Sequence, residues 1–317
     1  MTAVSLKGVE EAYERIRGHI YETPIISSEK INEIVGCEVL FKSEHLQKTG
    51  SFKARGATNA VLLLKEEGKV SGVVTHSSGN HGQGLAWAAR ACGLPCCVVV
   101  PNAAPKSKIE AMRGYEARLE LCGNSIADRE SGCAKFAEEL NYGVVEPFNS
   151  IDVIHGQGTI GLEIVKQVSE FDAVFLAVGG GGMASGVATY IGEKRPDIKV
   201  FLVEPVGKRL GEVFANDGHP VDEGDTLNTV ADGIRVKNVG SNCMAPLRKY
   251  CQGHVITVSE EEIREALKLI WTRTKQRVEP TAAVPLAGLL KVGAQNLGLK
   301  KVVVVLCGGN ADLDFVP

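Results

Sequence analysis

Residues 172–183 read Asp-Ala-Val-Phe-Leu-Ala-Val-Gly-Gly-Gly-Gly-Met. An apolar, β-branched run that stops in four consecutive glycines is a buried strand leaving its sheet through a freely kinked main chain. A helical pattern follows from Ala184 to about Glu193. Strand, glycine turn and helix start together make an anion cradle, because bare N–H groups and the positive end of the helix dipole converge on one point. A tight turn without a ligand is the plainer reading of the same residues. A nucleotide P-loop would carry Gly-Lys-Ser/Thr at the helix start, and here Met183-Ala184-Ser185 stands instead. The dinucleotide fingerprint is nearly met by Gly179, Gly181 and Ala184, with Glu204 at roughly the required 20-residue distance, so this segment alone admits NAD.

Short apolar runs alternate with longer helical patterns along the whole chain. Strands are expected at 39–42, 72–75, 96–100, 118–121, 173–178, 199–203, 254–258 and 301–306. Helices are expected at 80–92, 106–112, 125–140, 156–168 and 260–276. The last opens on Ser259-Glu260-Glu261-Glu262, a capping-box pattern. Alternating strands and helices, with several strands almost wholly apolar, predict doubly wound open sheets covered on both faces. The units near 72–100 and 172–203 both end a strand in a small-residue turn before a helix, which predicts two α/β domains with a cleft between them.

The 317 residues suffice for one large or two medium α/β domains. A net charge of −3 gives no electrostatic footprint for nucleic acid. No apolar run reaches the ~18 residues of a membrane span, and the N-terminal segment lacks the basic-then-apolar pattern of a secretory signal. Nine cysteines are scattered, with Cys96 and Cys97 adjacent in an apolar strand, and no zinc spacing appears. That usage suits a reducing, cytoplasmic compartment.

Three further stretches carry chemistry. In Lys48-Thr49-Gly50-Ser51-Phe52-Lys53-Ala54-Arg55-Gly56-Ala57, Lys53 falls at a helix start, where the dipole disfavours an ammonium. A partly buried lysine there is an amine nucleophile for an aldehyde, and an ordinary surface lysine otherwise. Thr75-His76-Ser77-Ser78-Gly79-Asn80-His81-Gly82-Gln83-Gly84 ends a strand and opens a helix, so its side chains and N–H groups suit a carboxylate or a hydroxylated ring. Ser77 or Ser78 as a simple helix cap is the competing reading. Finally, Val302–Asn310 is a strand running through Cys307 into a glycine turn, at the sheet end where open parallel sheets bind ligands. Cys307 either lines that crevice or is simply packed.

Taken together, Ser51-Phe52-Lys53-x-Arg55-Gly56, Ser77-Ser78-Gly79-Asn80-His81 and Gly179–Met183 resemble the fold-type II pyridoxal-phosphate enzymes. Within these they resemble the serine racemase and serine/threonine dehydratase group, over nearly the whole chain. The resemblance implies a tryptophan-synthase-β-like fold with the cofactor between two doubly wound domains. Residues 1–50 and 147–317 would form the larger, and 51–146 the smaller, which carries the Ser77–Asn80 loop. It further implies that Lys53 binds the cofactor aldehyde covalently and that Gly179, Gly180, Gly181, Gly182 and Met183 bind its phosphate. Asn80 would meet the ring hydroxyl, Phe52 the ring face and Cys307 the ring nitrogen. Ser77, Ser78, Asn80 and His81 would hold the substrate carboxylate, with Arg129 approaching on closure. Lys53 and Ser78 would be the two proton carriers, one on each face of the substrate Cα.

The implied activity is interconversion of L- and D-serine with elimination of serine to pyruvate and ammonia, by a cytoplasmic homodimer. A dedicated L-serine/L-threonine dehydratase is the alternative, and hydroxyaspartate or aspartate chemistry stands further off. Ser78 favours the racemase, since many dehydratases of the group carry alanine there. Pro147-Phe148 before Gly156-Gln157-Gly158-Thr159, and Val236 in Ala231–Lys237, lean towards the dehydratases. Relatives often hold Mg2+ or Ca2+ with a glutamate after a strand and an aspartate about six residues on. Glu204 takes the first place as the candidate ligand, but Leu210 stands at the second, flanked by Lys208 and Arg209. Two cations beside one carboxylate look more like a salt bridge than a divalent site.

Overall fold

The computed structural model describes residues 3–102, 104, 106–224, 226–312 and 315–317. Among these described residues, ten strands form two sheets. They are β1 (Ile25–Ser27), β2 (Glu38–Lys42), β3 (Gly72–His76), β4 (Cys96–Pro101), β5 (Arg118–Cys122), β6 (Tyr142–Val144), β7 (Ala173–Ala177), β8 (Lys199–Pro205), β9 (Val255–Val258) and β10 (Lys301–Val305). Six of them order as β1-β2-β10-β7-β8-β9 and four as β5-β4-β3-β6. Every pairing is parallel except β1 with β2, an antiparallel edge that the sequence patterning misses. Strands of three residues, such as β1 and β6, are too short to show an apolar period.

Burial on both faces explains the apolar composition of the central strands. Along β4, Cys96, Val98 and Val100 enter one core with Leu85 and Ala88, whereas Cys97 and Val99 enter another with Cys133. The pleat thus sends Cys96 and Cys97 to opposite faces of the sheet, and all nine cysteines are unpaired thiols. In the larger sheet all five residues of β7 are buried. The helix Pro280–Val292 packs on β7, β8 and β9. That helix contains Pro285 and is almost uniformly apolar, so no amphipathic period betrays it. The helix Ser241–Cys251 is likewise interrupted by Pro246. By contrast, Asn80–Cys92 matches its expected bounds, and Ser259 forms the capping box with Glu262 that the sequence predicts.

Three helices set the geometry of the cleft: Lys53–Glu67, Ile151–Gln167 and Gly182–Lys194. They pack backbone to backbone through glycines. A Cβ on Gly156 would lie 2.6 Å from the Cα of Gly56, and one on Gly186 would lie 2.4 Å from the carbonyl of Ile154. This is the structural reason for the Gly156-x-Gly158 spacing. Ion pairs reinforce the contact. Arg55, fully buried, donates to Glu44 through Nε and Nη2 (both 2.7 Å) and to Glu163 through Nη1 (2.6 Å) and Nη2 (2.8 Å). Lys42 Nζ completes the cluster on Glu163 at 2.5 Å.

Gly156→Ala places its methyl against backbone that no side-chain motion can clear. It should cost about 1–3 kcal/mol of unfolding free energy, read from urea denaturation, as overpacked interiors do.

Candidate active site

The carboxyl ends of β3, β7 and β10 open on one cavity of about 1070 Å³ between the two sheets. This is the crevice position expected of open parallel sheets. Lys53 reaches it because the preceding residues are stitched to the end of β10. Phe52 N–H donates to the Cys307 carbonyl at 3.1 Å, and Ser51 bridges Gly308. The chain then turns directly into the helix that begins at Lys53. Lys53 Nζ donates to the Pro147 carbonyl at 2.6 Å. Burial lowers the Lys53 ammonium to about 8, with Cys243, Cys307 and Glu279 opposing the shift.

On the opposite wall, Ser77, Ser78, Gly79, Asn80 and His81 all line the cavity. Neither serine caps the helix Asn80–Cys92. Its N-cap is Gly79 with no side-chain cap, and Ser77 Oγ instead accepts the Gly79 N–H at 3.2 Å, tightening the loop. His81 is turned into the protein, where Nε2–H donates to the Val145 carbonyl at 3.0 Å. Burial, with Lys53 nearby, pushes its imidazole down to about 3, so the ring stays neutral. Arg129 lines the mouth, its guanidinium donating to the carbonyls of Ser125 (3.2 Å) and Asn124 (3.3 Å).

The glycine run behaves as a cradle, though packing also dictates its composition. Gly179, Gly181, Gly182 and Met183 line the cavity, and Gly181 adopts φ +93° as the N-cap of the helix Gly182–Lys194. Gly180 lies behind that wall, where a Cβ would meet the Phe148 ring at 2.3 Å. On Gly181 a Cβ would crowd Val239 and Cys243, and on Gly182 the Phe148 backbone. The first four N–H groups of a helix lack intrahelical acceptors, so this end suits a phosphate. An amine of lowered basicity, a helix N-terminus made of glycine and an aromatic residue, Phe52, meet in one cavity. These residues fit an aldehyde-bearing, phosphorylated ring.

Sequence reasoning missed Glu279. Both oxygens of this carboxylate accept from Asn80 Nδ2 at 3.0 Å, while Asn80 Oδ1 accepts from Asn310 Nδ2 at 2.8 Å. Asn80 is therefore already engaged on both its polar atoms. Burial, followed by the Asp232 carboxylate, pushes Glu279 up to about 7. Burial and Glu279 push the Cys307 thiol well above its ordinary range, so it stays protonated. A signal for Glu279 exists in Glu279-Pro280, a residue at the N-cap with proline at the first helical position. Also unforeseen is the ion pair between Lys108 and Asp232, both lining the cavity.

Glu204 stands apart. Its carboxylate accepts the Leu210 N–H through both oxygens (3.2 and 3.1 Å) and the Thr257 hydroxyl at 3.1 Å. Leu210 is itself buried in the core. No group of three or more His, Cys, Asp or Glu side chains among the described residues is arranged to hold a metal ion. Nor, among them, is any helix long and apolar enough to cross a membrane.

A raised Glu279 binds its proton more tightly folded than unfolded, so its stabilising contribution is complete below the unfolded value and is lost as pH rises through about 7. Glu279→Gln should remove that loss. Relative to the parent, the variant should gain on the order of 3 kcal/mol between pH 5 and pH 8 in unfolding experiments on the cofactor-free protein.

The sequence profile of the family described as "Pyridoxal-phosphate dependent enzyme" matches residues 16–308. The chain is 42% identical to a serine racemase of Dictyostelium discoideum, over 100% of this chain and 98% of that one. It is 40% identical to a beta-hydroxyaspartate dehydratase of Paracoccus denitrificans, over 96% of each. Its fold superposes with a TM-score of 0.95 on the crystal structure of a pyridoxal 5'-phosphate-dependent aspartate racemase. That structure is 40% identical, with 100% of this chain and 99% of that one covered.

Proposed function

The chain belongs to the pyridoxal-phosphate-dependent enzymes, and from that premise we propose that it interconverts L- and D-serine and also eliminates water from serine to give pyruvate and ammonia. The observation that carries this reading is Lys53 and Ser78 lining one cavity with the glycine cradle, in a chain about 40% identical to serine racemases over its full length. We take residues 1–50 and 147–317 as the cofactor-binding unit and 51–146 as the smaller one, a division supported by which strands share each sheet.

When bound, the cofactor supplies an electron sink that acidifies the Cα–H of an amino acid. The chain's residues do the rest. The N–H groups from Gly181 to Met183 hold the phosphate at the positive helix end, and Phe52 packs on the ring. The protonated Cys307 thiol offers the ring nitrogen no negative charge. That limits how far the substrate's negative charge spreads, which favours racemisation and elimination over amino transfer. Ser77 and the start of the helix Asn80–Cys92 bind the substrate carboxylate. Lys53, lowered to about 8, is a competent proton acceptor near neutral pH. Inversion requires Ser78 Oγ to return a proton on the other face.

A dehydratase without racemisation is the second reading, favoured by the dehydratase relative and by Val236 in the cavity wall. The cationic side chains of Arg129 and Arg235 at the same cavity keep a substrate with a second carboxylate in view. Nine unpaired thiols support a cytoplasmic location. A homodimer is inferred from the resemblance alone.

Cofactor-loaded protein should convert L-serine to D-serine and pyruvate in one reaction. Lys53→Ala should abolish the visible absorbance of the bound cofactor and lower both products by a factor on the order of 10³. Ser78→Ala should lose D-serine formation about 10²-fold or more while keeping pyruvate. Pyruvate alone from the parent, with 2-oxobutyrate from L-threonine, would establish the dehydratase instead.

A further inference from the structure

Lys208 is a buried charge that the chemistry above does not use. It is 2% exposed and lies on the turn after β8. Its ammonium donates to the backbone carbonyls of Val236 at 2.9 Å and Lys237 at 2.8 Å. Glu204, 1% exposed at the end of β8, is the anion whose field it feels. Two carbonyl oxygens bonded to the ammonium, with a carboxylate acting on it through its field and not in an ion pair, are the donor chemistry of a hard cation. Here the charge is attached to the chain.

We infer that Lys208 is a built-in cation, which fastens the cavity wall at Val236 and Lys237 and takes the place of a divalent ion beside Glu204. Two observations and a charge argument oppose sharing that place with Mg2+ or Ca2+. Both Glu204 oxygens already accept the Leu210 N–H. The Leu210 side chain, at the position where an acidic ligand would be needed, is buried among apolar residues. A divalent ion added to Lys208 and Glu204 would leave two uncompensated positive charges in a low-dielectric interior. The neighbouring Arg209 does not relieve this, since its guanidinium is paired outward with Glu212 and Asp222.

The tether acts on the site through the loop. Val236 pairs with Thr226 across that loop, and both line the cavity. Lys208 is thus a positioning residue. The inference does not depend on which amino acid the enzyme turns over, because its first readout is thermal.

Holoenzyme treated with EDTA should melt at the same temperature, and turn over at the same rate, with or without added Mg2+ or Ca2+. Elemental analysis of the untreated protein should find neither ion in stoichiometric amount. Lys208→Met should melt lower and raise KM more than it lowers kcat, with no restoration by Mg2+. The double variant K208A/L210D removes the built-in charge and adds an acidic ligand. It should acquire a Mg2+-dependent rise in melting temperature of roughly 5 °C at saturation. Stoichiometric metal in the parent, or a rise of that size in the parent on adding Mg2+, would overturn the inference. So would a folded double variant that ignores the ion. If the double variant does not fold, the parent's melting and metal content still decide.

Discussion

The interaction on which the cleft depends is the buried cluster of Arg55 and Lys42 with Glu44 and Glu163. It carries two charges of each sign and no net charge, all out of reach of solvent. Such clusters contribute little net stability over an apolar core, because desolvation consumes most of the Coulombic gain. Their effect is geometric. A guanidinium bonded through three nitrogens to two carboxylates admits one placement. Arg55 lies two residues beyond Lys53 on the same helix, so fixing the guanidinium fixes the start of that helix. Glu163 belongs to the helix Ile151–Gln167, which packs by glycine contacts against the glycine-cradle helix as well. Lys53 and the glycine cradle are thereby held to one central helix.

Charge placement within the cavity follows from burial more than from pairing. Desolvation is the leading cause of the shifts at Lys53, His81, Glu279 and Cys307 alike. Each is moved towards its neutral form: an amine able to take a proton, an uncharged imidazole, a carboxyl that titrates near neutrality and an intact thiol. Burial thus mutes the charge of these four groups, and the charged lining of the cavity comes instead from residues such as Lys108, Asp232, Arg129 and Arg235.

Much of this was legible in the sequence, and the rest was hidden for physical reasons. The βα alternation was readable because the strands are buried on both faces and the outer helices carry clear caps. The glycine run and Lys53 stood out because each violates a local preference for something the tertiary structure supplies. Helices interrupted by Pro246 or Pro285 were not readable, and neither were three-residue strands. Asn80 was identified as a polar residue at a helix start, but its partners lie 199 and 230 residues away at Glu279 and Asn310. No spacing rule reaches that far. The serines of the 77–78 loop looked like caps, and only the backbone shows that Gly79 takes that position.

The Lys108–Asp232 pair joins the walls of the cavity, Lys108 from the helix after β4 and Asp232 from the loop after β8. The pair is only partly shielded, with 16% and 32% of the two side chains exposed, so dissolved ions compete for both partners. The contact joining the two walls is therefore tied to the ionic strength of the surroundings, whereas the desolvated Lys53, Glu279 and Cys307 are screened far less.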